Sequence, residues 1–484
     1  MSRPSSFLTN VGESLSMPSG NPGMSRFRWG VAVVLCYAAV LVFYSGLMTG
    51  FTFVFSECEM WPNYDQLAKA FAKGRLDLDV APTEDHSVVN GRVYLYSGPV
   101  PALLRLPVVL LLGRGIPTGF MIAMFCAGVS VLSCLALNRL DTGDSRTGES
   151  SFKLMVGLVI VLNGYTLFLV TIPSFHHEAI AAAMFFLIAA ISLVLRIRDQ
   201  AHQRNVKLFI ALGVMCALCL GSRLNYGLSI VFLGVLAGIC AVKGAADRDK
   251  VRVCSSIAVM CAITLLGVML LGLYNYERYG TFMDTGMQYQ VSKVFGKYFR
   301  EGNYFRYDHV PLNLWSYFCR IPDCFAHFPY IGLPVFTATM QSVQFMPYSL
   351  VYHNELAVSV FCMVPLGVLL AVPVACGLAG RRDPLDVVPW VACAVVFLQV
   401  LPLSLTVATA ARYYVDFVPI VLMATYPAAV RMFRWRAQTR WVVGVLALVS
   451  LMVGLTLPVH GVLFYDDAMH YRSPWAPLIF SFLK

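Results

Sequence analysis

The sequence predicts an all-α protein that crosses the membrane many times. Of its 484 residues, 58% are hydrophobic and only 13% are charged, and the mean hydropathy is +0.69. Apolar runs long enough to cross roughly 30 Å of hydrocarbon recur between residues 28 and 458. Because lipid offers the backbone no hydrogen-bond partners, each spanning run must be helical. We therefore expect a polytopic bundle of about eleven transmembrane helices.

The apolar windows locate these helices along the chain. Residues 1–28 form a polar tail rich in Ser, Pro and Gly, and the long span after it is typical of a retained first helix rather than a cleaved signal peptide. Residues 29–484 are predicted to form a single bundle. The expected spans are residues 30–55, 116–137, 154–172, 178–195, 207–222, 226–242, 253–274, 356–378, 388–408, 413–430 and 441–457.

Segment 99–113 decides the topology. It is short for a span, holds three prolines and carries Arg105 in its middle, which is costly to bury in lipid. If this segment is a helix in the outer interface, every short basic loop lies with the N-terminus on the cytoplasmic side, as the positive-inside bias requires. Two long outer loops then follow, at 56–115 and 275–355. The second opens at 275–286 with a predicted turn that satisfies its own polar groups.

Composition and motifs exclude several function classes. The formal net charge of +10 does not indicate a nucleic-acid partner, because the basic residues lie in short clusters between apolar spans. We find no zinc-type cysteine spacing and no glycine-rich phosphate loop. His176, His177 and Glu178 share an outer turn, but adjacent histidines point in different directions on a helix and make a poor chelate. No cofactor is required by the sequence, and a divalent metal remains an open alternative.

Acidic and aromatic residues concentrate just beyond the first span. Glu57, Glu59 and Asp65 lie there, and a short amphipathic helix, expected to lie on the membrane, follows from Tyr64 to Gly74. A carboxylate at the water boundary can act as a general base or a metal ligand, because partial desolvation tunes its pKa. The alternative is that these acids only solvate a helix end.

Two arginines are expected on the same outer face. Arg412 and Tyr413 begin the element Arg412-Tyr-Tyr-Val-Asp-Phe-Val-Pro, and Arg223 lies in the turn Ser222-Arg-Leu-Asn-Tyr. A guanidinium at this position can pair with a lipid-linked phosphate through two parallel hydrogen bonds. The alternatives are an interfacial arginine that anchors a helix and a polar helix cap.

The first outer loop resembles that of the C-type-fold (GT-C) glycosyltransferases. The similarity covers Asn63-Tyr-Asp-Gln-Leu-Ala-Lys-Ala-Phe-Ala-Lys-Gly-Arg-Leu and, after a gap, Asn90-Gly-Arg-Val-Tyr-Leu-Tyr-Ser-Gly-Pro-Val-Pro. Protein O-mannosyltransferases and the aminoarabinose transferases of bacterial envelopes belong to this superfamily, and the element at Arg412 is similar to their Arg-Tyr-Leu-Leu-Pro element. The resemblance implies a catalytic acid beyond the first helix, nearest Glu59 by register. Because the usual adjacent Asp-Glu pair is missing, Glu57, Glu59 and Asp65 compete for this role.

The outer-face residues and the resemblance together favour an inverting glycosyltransferase of the inner (cytoplasmic) membrane. It would take a sugar, for example a hexose, from a polyprenyl-phosphate-linked donor and transfer it to a glycan, lipid or protein acceptor on the extracytoplasmic face. The alternatives are a non-catalytic component of envelope biogenesis and a secondary transporter, although a transporter usually shows related halves and ionisable groups at mid-membrane. The residues expected to bind substrate are Arg412, Tyr413, Tyr64, Tyr94, Tyr96 and Arg223.

Overall fold

The computed structural model describes residues 22–58, 61–140, 149–200, 205–292, 295–324, 331–332, 353–355, 357–372, 375, 387–435, 437–469 and 473–483. Within these ranges the chain is almost wholly helical, which confirms the all-α prediction. Within the described residues, seven helical segments, some of them made of two consecutive helices, are long and apolar enough to cross a membrane, so this is a multi-pass membrane protein. They span Arg28–Thr49, Thr118–Arg139, Phe152–Thr171, Phe175–Asp199, Leu224–Gly244, Asp247–Tyr279 and Thr439–Val462.

The regular elements follow one another with few strands between the helices. The α-helices are α1 (Pro22–Thr49), α2 (Asn63–Ala72), α3 (Val100–Leu112), α4 (Thr118–Arg139), α5 (Glu149–Val161), α6 (Gly164–Thr171), α7 (Phe175–Asp199), α8 (Val206–Ser222), α9 (Gly227–Gly244), α10 (Lys250–Tyr279), α11 (Phe295–Arg300), α12 (Val310–Phe318), α13 (Val360–Met363), α14 (Val387–Ser404), α15 (Val418–Trp435), α16 (Ala437–Gly454), α17 (Thr456–Met469) and α18 (Ala476–Leu483). The strands are β1 (His86–Val89), β2 (Arg92–Leu95), β3 (Asp323–Cys324), β4 (Ile331–Gly332), β5 (His353–Glu355) and β6 (Ala408–Ala410).

Two predicted spans differ from the structure. The span expected at 154–172 consists of α5 and α6, because Asn163 caps α6 by accepting a hydrogen bond from the Thr166 amide at 2.9 Å. The prediction of one helix at 356–378 is wrong for its described residues, since the four-residue α13 is followed by a 3₁₀ helix at Pro365–Leu370. Proline lacks the amide proton that a continuing α-helix would need.

The prediction of a helix at 99–113 is confirmed by α3. With 13 residues and a rise of about 1.5 Å per residue, α3 is too short to cross the hydrocarbon core, as an interfacial helix would be. Leu110, Leu111 and Leu112 are exposed at its end, whereas the Arg105 side chain is completely buried in the protein. The helix therefore turns its charge inward and its leucines outward.

The amphipathic helix predicted after Tyr64 is present as α2, and Gly74 ends the turn beyond it with a φ of +68°. The prediction that it lies on the membrane is corrected, because its apolar face is covered by protein. Tyr64 and Leu67 are fully buried in a small core that also contains Leu95 and Phe175. This core lies under the first outer loop and joins α2 to α3, α7 and the β1–β2 hairpin.

The β1–β2 hairpin is a tight turn inside the first outer loop. Its strands are antiparallel, with Val89 opposite Arg92. Asn90 and Gly91 between them have φ values of 50° and 72°. An Asn-Gly pair with both φ angles positive is the preferred two-residue hairpin connection. The Asn90-Gly91 pair therefore determines the turn, and the two ends of the hairpin lie side by side.

Helices α4, α7, α8 and α10 pack against one another in that order. The main core is formed largely by α4, α7 and α15, and α10 contributes few buried residues to it. Small residues permit close helix packing in membrane proteins. Gly213 on α8 is one example, since a Cβ atom there would lie 2.8 Å from the Met260 carbonyl oxygen on α10. This packed group of helices carries the loop ends that form the candidate site.

Candidate functional site

The candidate site forms where the first outer loop meets the N-terminus of α7. Trp61 makes a parallel β-bridge with Ser174, and the Ser174 side chain caps α7 by accepting a hydrogen bond from the His177 amide at 3.3 Å. His176 is thereby held in the first turn of α7, with the Trp61 ring 6.4 Å from its own ring. The ends of the β1–β2 hairpin reach the same place.

Asp85, His176 and Tyr96 form a chain of polar contacts. The His176 Nε2 atom lies 3.4 Å from Asp85 Oδ2, and its Nδ1 atom lies 3.3 Å from the Tyr96 hydroxyl. A neutral imidazole with its proton on Nε2 donates to the carboxylate and accepts from the phenol. The side chains of His176 and Asp85 remain 18% and 32% exposed, so a ligand can reach them.

The charge state of Asp85 follows from its neighbours. Burial raises the pKa of Asp85, but its interaction with His176, including the hydrogen bond, and the charge of Arg412 outweigh burial and place the pKa below its usual value. Burial raises the pKa of Tyr96 well above its usual value, so the phenol keeps its proton and can donate it to His176. The site therefore holds an ionised carboxylate at neutral pH.

Two guanidinium groups lie over one aromatic ring beside this carboxylate. The Arg223 Cζ atom is 5.2 Å and the Arg412 Cζ atom 5.5 Å from the centre of the Tyr413 ring. Arg412 also acts electrostatically on Asp85, Tyr96 and Tyr304, so its charge belongs to the same site. Cations on an aromatic face, positioned together, are suited to a bidentate anion such as a phosphate. These contacts bring together three of the residues predicted to bind substrate, Arg412, Tyr413 and Arg223.

A buried carboxylate orients Arg223. The Asp416 side chain is completely buried, and its oxygens accept hydrogen bonds from three residues at the corner between α8 and α9, namely Tyr226 (2.6 Å), Asn225 (3.2 Å) and Arg223 (3.3 Å). Burial raises the pKa of Asp416, and the charge of Arg223 offsets this only in part. Burial would lower the pKa of Arg223, but Asp416 keeps it above its usual value, so the guanidinium stays charged.

Among the predicted acids, only Asp65 has a described side chain. Its Oδ2 atom lies 2.6 Å from Lys69 Nζ, and its Oδ1 atom is buried with no hydrogen-bond partner. A Cβ atom at Gly115 would lie 1.6 Å from that oxygen, so the carboxylate faces the connection between α3 and α4. Glu59 and the side chain of Glu57 lie outside the described residues, and their catalytic role stays a prediction.

The predicted tyrosines divide into two kinds. Tyr64 is fully buried, with its ring 6.3 Å from that of Phe175. Tyr94 is 7% exposed and packs on Tyr279 at 5.8 Å. Both side chains are occupied in packing the loop, in contrast to Tyr96, which is partly exposed beside His176.

Arg278 holds the hairpin in place from the last turn of α10. Its guanidinium donates to the Leu95 carbonyl oxygen and to Asn275 Oδ1 (2.8 Å), and lies 3.7 Å from the centre of the Tyr274 ring. Further along, the Val291 amide donates to the His86 carbonyl oxygen at 2.9 Å. Asp85 and Tyr96 each stand one residue outside the hairpin, so these contacts fix their positions.

The two histidines of α7 have separate roles. The Nδ1 atom of the buried His177 lies 2.6 Å from the Ile172 carbonyl oxygen, whereas His176 faces Asp85. Glu178 pairs with Arg105. Among the described residues, no group of three or more His, Cys, Asp or Glu side chains is arranged to hold a metal ion.

Asp85 and His176 are the residues that sequence reasoning missed. Asp85 looks like an ordinary loop acid in the sequence, and the sequence suggests for His176 only the role of a metal ligand beside His177. The available signal was the position of each residue at the edge of a regular element. Asp85 directly precedes β1, and His176 lies in the first turn of a spanning helix.

No family model matches the sequence, and no curated protein matches it. Among solved structures, the chain is similar to the oligosaccharyltransferase of Archaeoglobus fulgidus in the apo form, with a TM-score of 0.47 and 11% identity over 94% of this chain and 60% of that one. It is also similar to the oligosaccharyltransferase AglB from Archaeoglobus fulgidus in complex with an inhibitory peptide and a dolichol-phosphate, with a TM-score of 0.44 and 12% identity over 93% of this chain and 59% of that one.

Both of these solved structures are described as oligosaccharyltransferases. The chain spans about 60% of the length of both archaeal proteins. Because both TM-scores are below 0.5, these similarities carry no argument about the reaction. Any argument about the chemistry rests on the residues of the site itself.

Proposed function

We propose that this protein is an inverting membrane glycosyltransferase that takes a sugar, a hexose in the simplest case, from a polyprenyl-phosphate-linked donor and transfers it to an acceptor on the extracytoplasmic face. The observation that carries the proposal is the position of Arg223 and Arg412 on the Tyr413 ring, together with the electrostatic effect of Arg412 on the ionised Asp85. Transfer from a phosphate-linked sugar needs cations for the leaving group and a carboxylate for the acceptor. The site offers both within one group of side chains.

The arginines are assigned to the donor phosphate. In the reaction, an acceptor oxygen or nitrogen attacks the anomeric carbon, and the bond from that carbon to the phosphate oxygen breaks. The electron pair of the broken bond leaves with the polyprenyl phosphate, which gains negative charge in the transition state. Two preorganised guanidinium groups stabilise this charge, and each can donate two hydrogen bonds. Asp416 supports the reaction by holding Arg223 in place.

Asp85 is proposed as the base that accepts the proton of the acceptor. Its lowered pKa keeps it ionised, and His176 fixes its orientation while Tyr96 fixes the tautomer of the imidazole. Glu59, which the family resemblance favours, and Glu57 and Asp65 remain alternative bases. A carboxylate must lie within hydrogen-bond reach of the proton it abstracts, so variants at each position can separate them.

The proposed location is the inner (cytoplasmic) membrane, with the N-terminus inside and the site outside. The basic segments between spans support this orientation through the positive-inside bias. A donor anchored in the bilayer would explain why the site lies at helix ends rather than in a separate domain. Glycan, lipid and protein acceptors all fit the proposal.

The test is transfer of a radiolabelled sugar from polyprenyl phosphate in membranes that contain the full chain. We expect Arg412→Gln and Arg223→Gln to lower the rate by about 10²–10³-fold, the usual effect of removing a transition-state donor. Arg75→Gln is the matched control, because Arg75 lies in the same outer loop as Asp85 but pairs with Asp77. Full activity in both site variants contradicts the proposal. Vesicle uptake of the sugar without transfer would favour a transporter.

A further inference from the structure

A cavity lies toward the end of α7 that is remote from the candidate site. From His176 at the start of this helix to Arg198 near its end, the helical rise gives a separation of about 30 Å. The cavity encloses about 120 Å³ and is open on one side. Aliphatic side chains from several helices line it, among them Ile191, Leu233 and Val395.

The mouth of this cavity carries a net positive charge. Arg198 is the charged residue among those that line it. Its Nη2 atom donates to Asp199 at 2.9 Å and to the Arg139 carbonyl oxygen at 3.3 Å. The Arg139 guanidinium donates to the other oxygen of Asp199 at 3.0 Å. Two guanidinium groups therefore share one carboxylate, which leaves one positive charge, and Arg198 is 41% exposed.

We propose that this cavity binds an anionic phospholipid of the cytoplasmic leaflet. One acyl chain fills the apolar space, because water there would lack hydrogen-bond partners. The lipid phosphate lies at Arg198 and Arg139, where it meets the surplus charge. This end of the bundle is also the end at which the basic segments collect, so the anionic leaflet faces it. The inference does not depend on the proposed sugar transfer.

Native mass spectrometry of the purified full chain tests the charged part of the site. We expect the protein to retain phosphatidylglycerol about fivefold better than phosphatidylcholine, the preference that one basic charge near the headgroups provides. Arg198→Gln should remove this preference, and Asp199→Asn should strengthen it by freeing both arginines for the phosphate. Arg248→Gln is the control, because Arg248 is 84% exposed in the segment between α9 and α10 and does not line the cavity.

A bulky substitution tests the apolar part. Ala392→Trp should fill the cavity and lower the retention of both lipids, whereas Val231→Trp, on the exposed side of α9, should not. A photoreactive phosphatidylglycerol should crosslink the unmodified chain on α9 and α14, which requires no variant to fold. Crosslinks elsewhere, equal retention of the two lipids, or equal retention by the Arg198 and Arg248 variants would overturn the inference. None of these measurements involves sugar transfer, so their failure leaves the proposed enzyme untouched.

Discussion

Arg105 and Glu178 form a bidentate ion pair with both side chains completely buried. The second guanidinium nitrogen lies 2.8 Å from Glu178 Oε2, and the Arg105 Nε atom donates to the Ile116 carbonyl oxygen at 3.2 Å. The pair joins α3 to α7 and so ties the first outer loop to the bundle. Arg105 looks costly to bury in the sequence, and Glu178 is what makes its burial possible.

We expect loss of one partner of this pair to be strongly destabilising. Glu178→Gln leaves a buried guanidinium without its counter-charge and should cost about 3–5 kcal/mol, whereas replacing Arg105 and Glu178 together by Met should restore most of the loss. Lys297→Met is the control, because the Lys297–Glu301 pair is exposed and worth at most about 1 kcal/mol. Thermal unfolding of the purified protein gives the comparison. Equal melting temperatures for Glu178→Gln and Lys297→Met would contradict the expected role of the pair.

The raised pKa of Asp416 makes stability depend on pH. Because its folded pKa exceeds the usual 3.8, the folded state binds the proton more tightly than the unfolded state. This stabilising contribution is complete below that usual value and is lost as the pH rises through the folded pKa. Asp416→Asn should therefore remove a decline in melting temperature that the unmodified protein shows as the pH rises.

Asp77 provides a control of opposite sign for Asp416. The hydrogen bond from Arg75 lowers the pKa of Asp77, so its contribution is present above the usual 3.8 and is lost as the pH falls. We therefore compare Asp77→Asn with Asp416→Asn. The difference in melting temperature between the unmodified protein and each variant should change in opposite directions as the pH rises across the acidic range. The same trend for both variants would show that burial does not raise the pKa of Asp416.

Asp85 and His176 should affect the rate in different ways. Asp85→Asn removes the proposed base and should lower transfer by about 10²–10⁴-fold. His176→Gln should leave more activity but move the acid limb of the pH–rate profile upward, because burial then raises the pKa of Asp85 without its main opposing partner. Asp79→Asn is the control, since Asp79 is 83% exposed in the same loop. An unshifted pH–rate profile in His176→Gln would show that His176 does not set the pKa of Asp85 and only packs against its neighbours.

The remaining acids can be separated by the same assay. Asp65→Asn should keep transfer near that of the unmodified protein, because Asp65 faces Lys69 and the connection between α3 and α4. Glu59→Gln should abolish transfer if the family resemblance identifies the base correctly, and Glu57→Gln tests its neighbour. Loss of transfer in Asp65→Asn with an unchanged melting temperature would instead favour Asp65 as the base.

Arg278 is expected to act on catalysis only through the hairpin. Arg278→Gln should weaken the contact with the Leu95 carbonyl oxygen, so the amides of β1 and β2 should exchange hydrogen faster and KM should rise as Asp85 and Tyr96 become less fixed. Arg300→Gln is the control, because Arg300 is exposed and bonds to Gln288 in the same outer loop. Unchanged amide exchange together with a lower kcat would instead indicate direct contact with substrate.

The sequence predicts all seven of the long apolar segments found among the described residues, because hydrophobic length is a local property. It does not predict the interrupted segment at 356–378. It predicts that Arg412 and Arg223 share a face, because the positive-inside bias orients whole spans. It does not predict the pairing of Asp85 with His176, since their meeting depends on the docking of Trp61 against Ser174 across the fold. Nor does it separate Tyr64, which packs in a core, from Tyr96, which faces the site, because tyrosines near a membrane surface serve both purposes.

The hydrogen bonds of Asp416 have a mechanical consequence for the site. This residue stands just before α15 and bonds to the corner between α8 and α9, so it links parts of the chain that are far apart in sequence. If a thinner or thicker bilayer tilts α15, the corner must move with it. Arg223 would then keep its distance from Tyr413 during the tilt, and the geometry of the anion site would stay constant in membranes of different thickness.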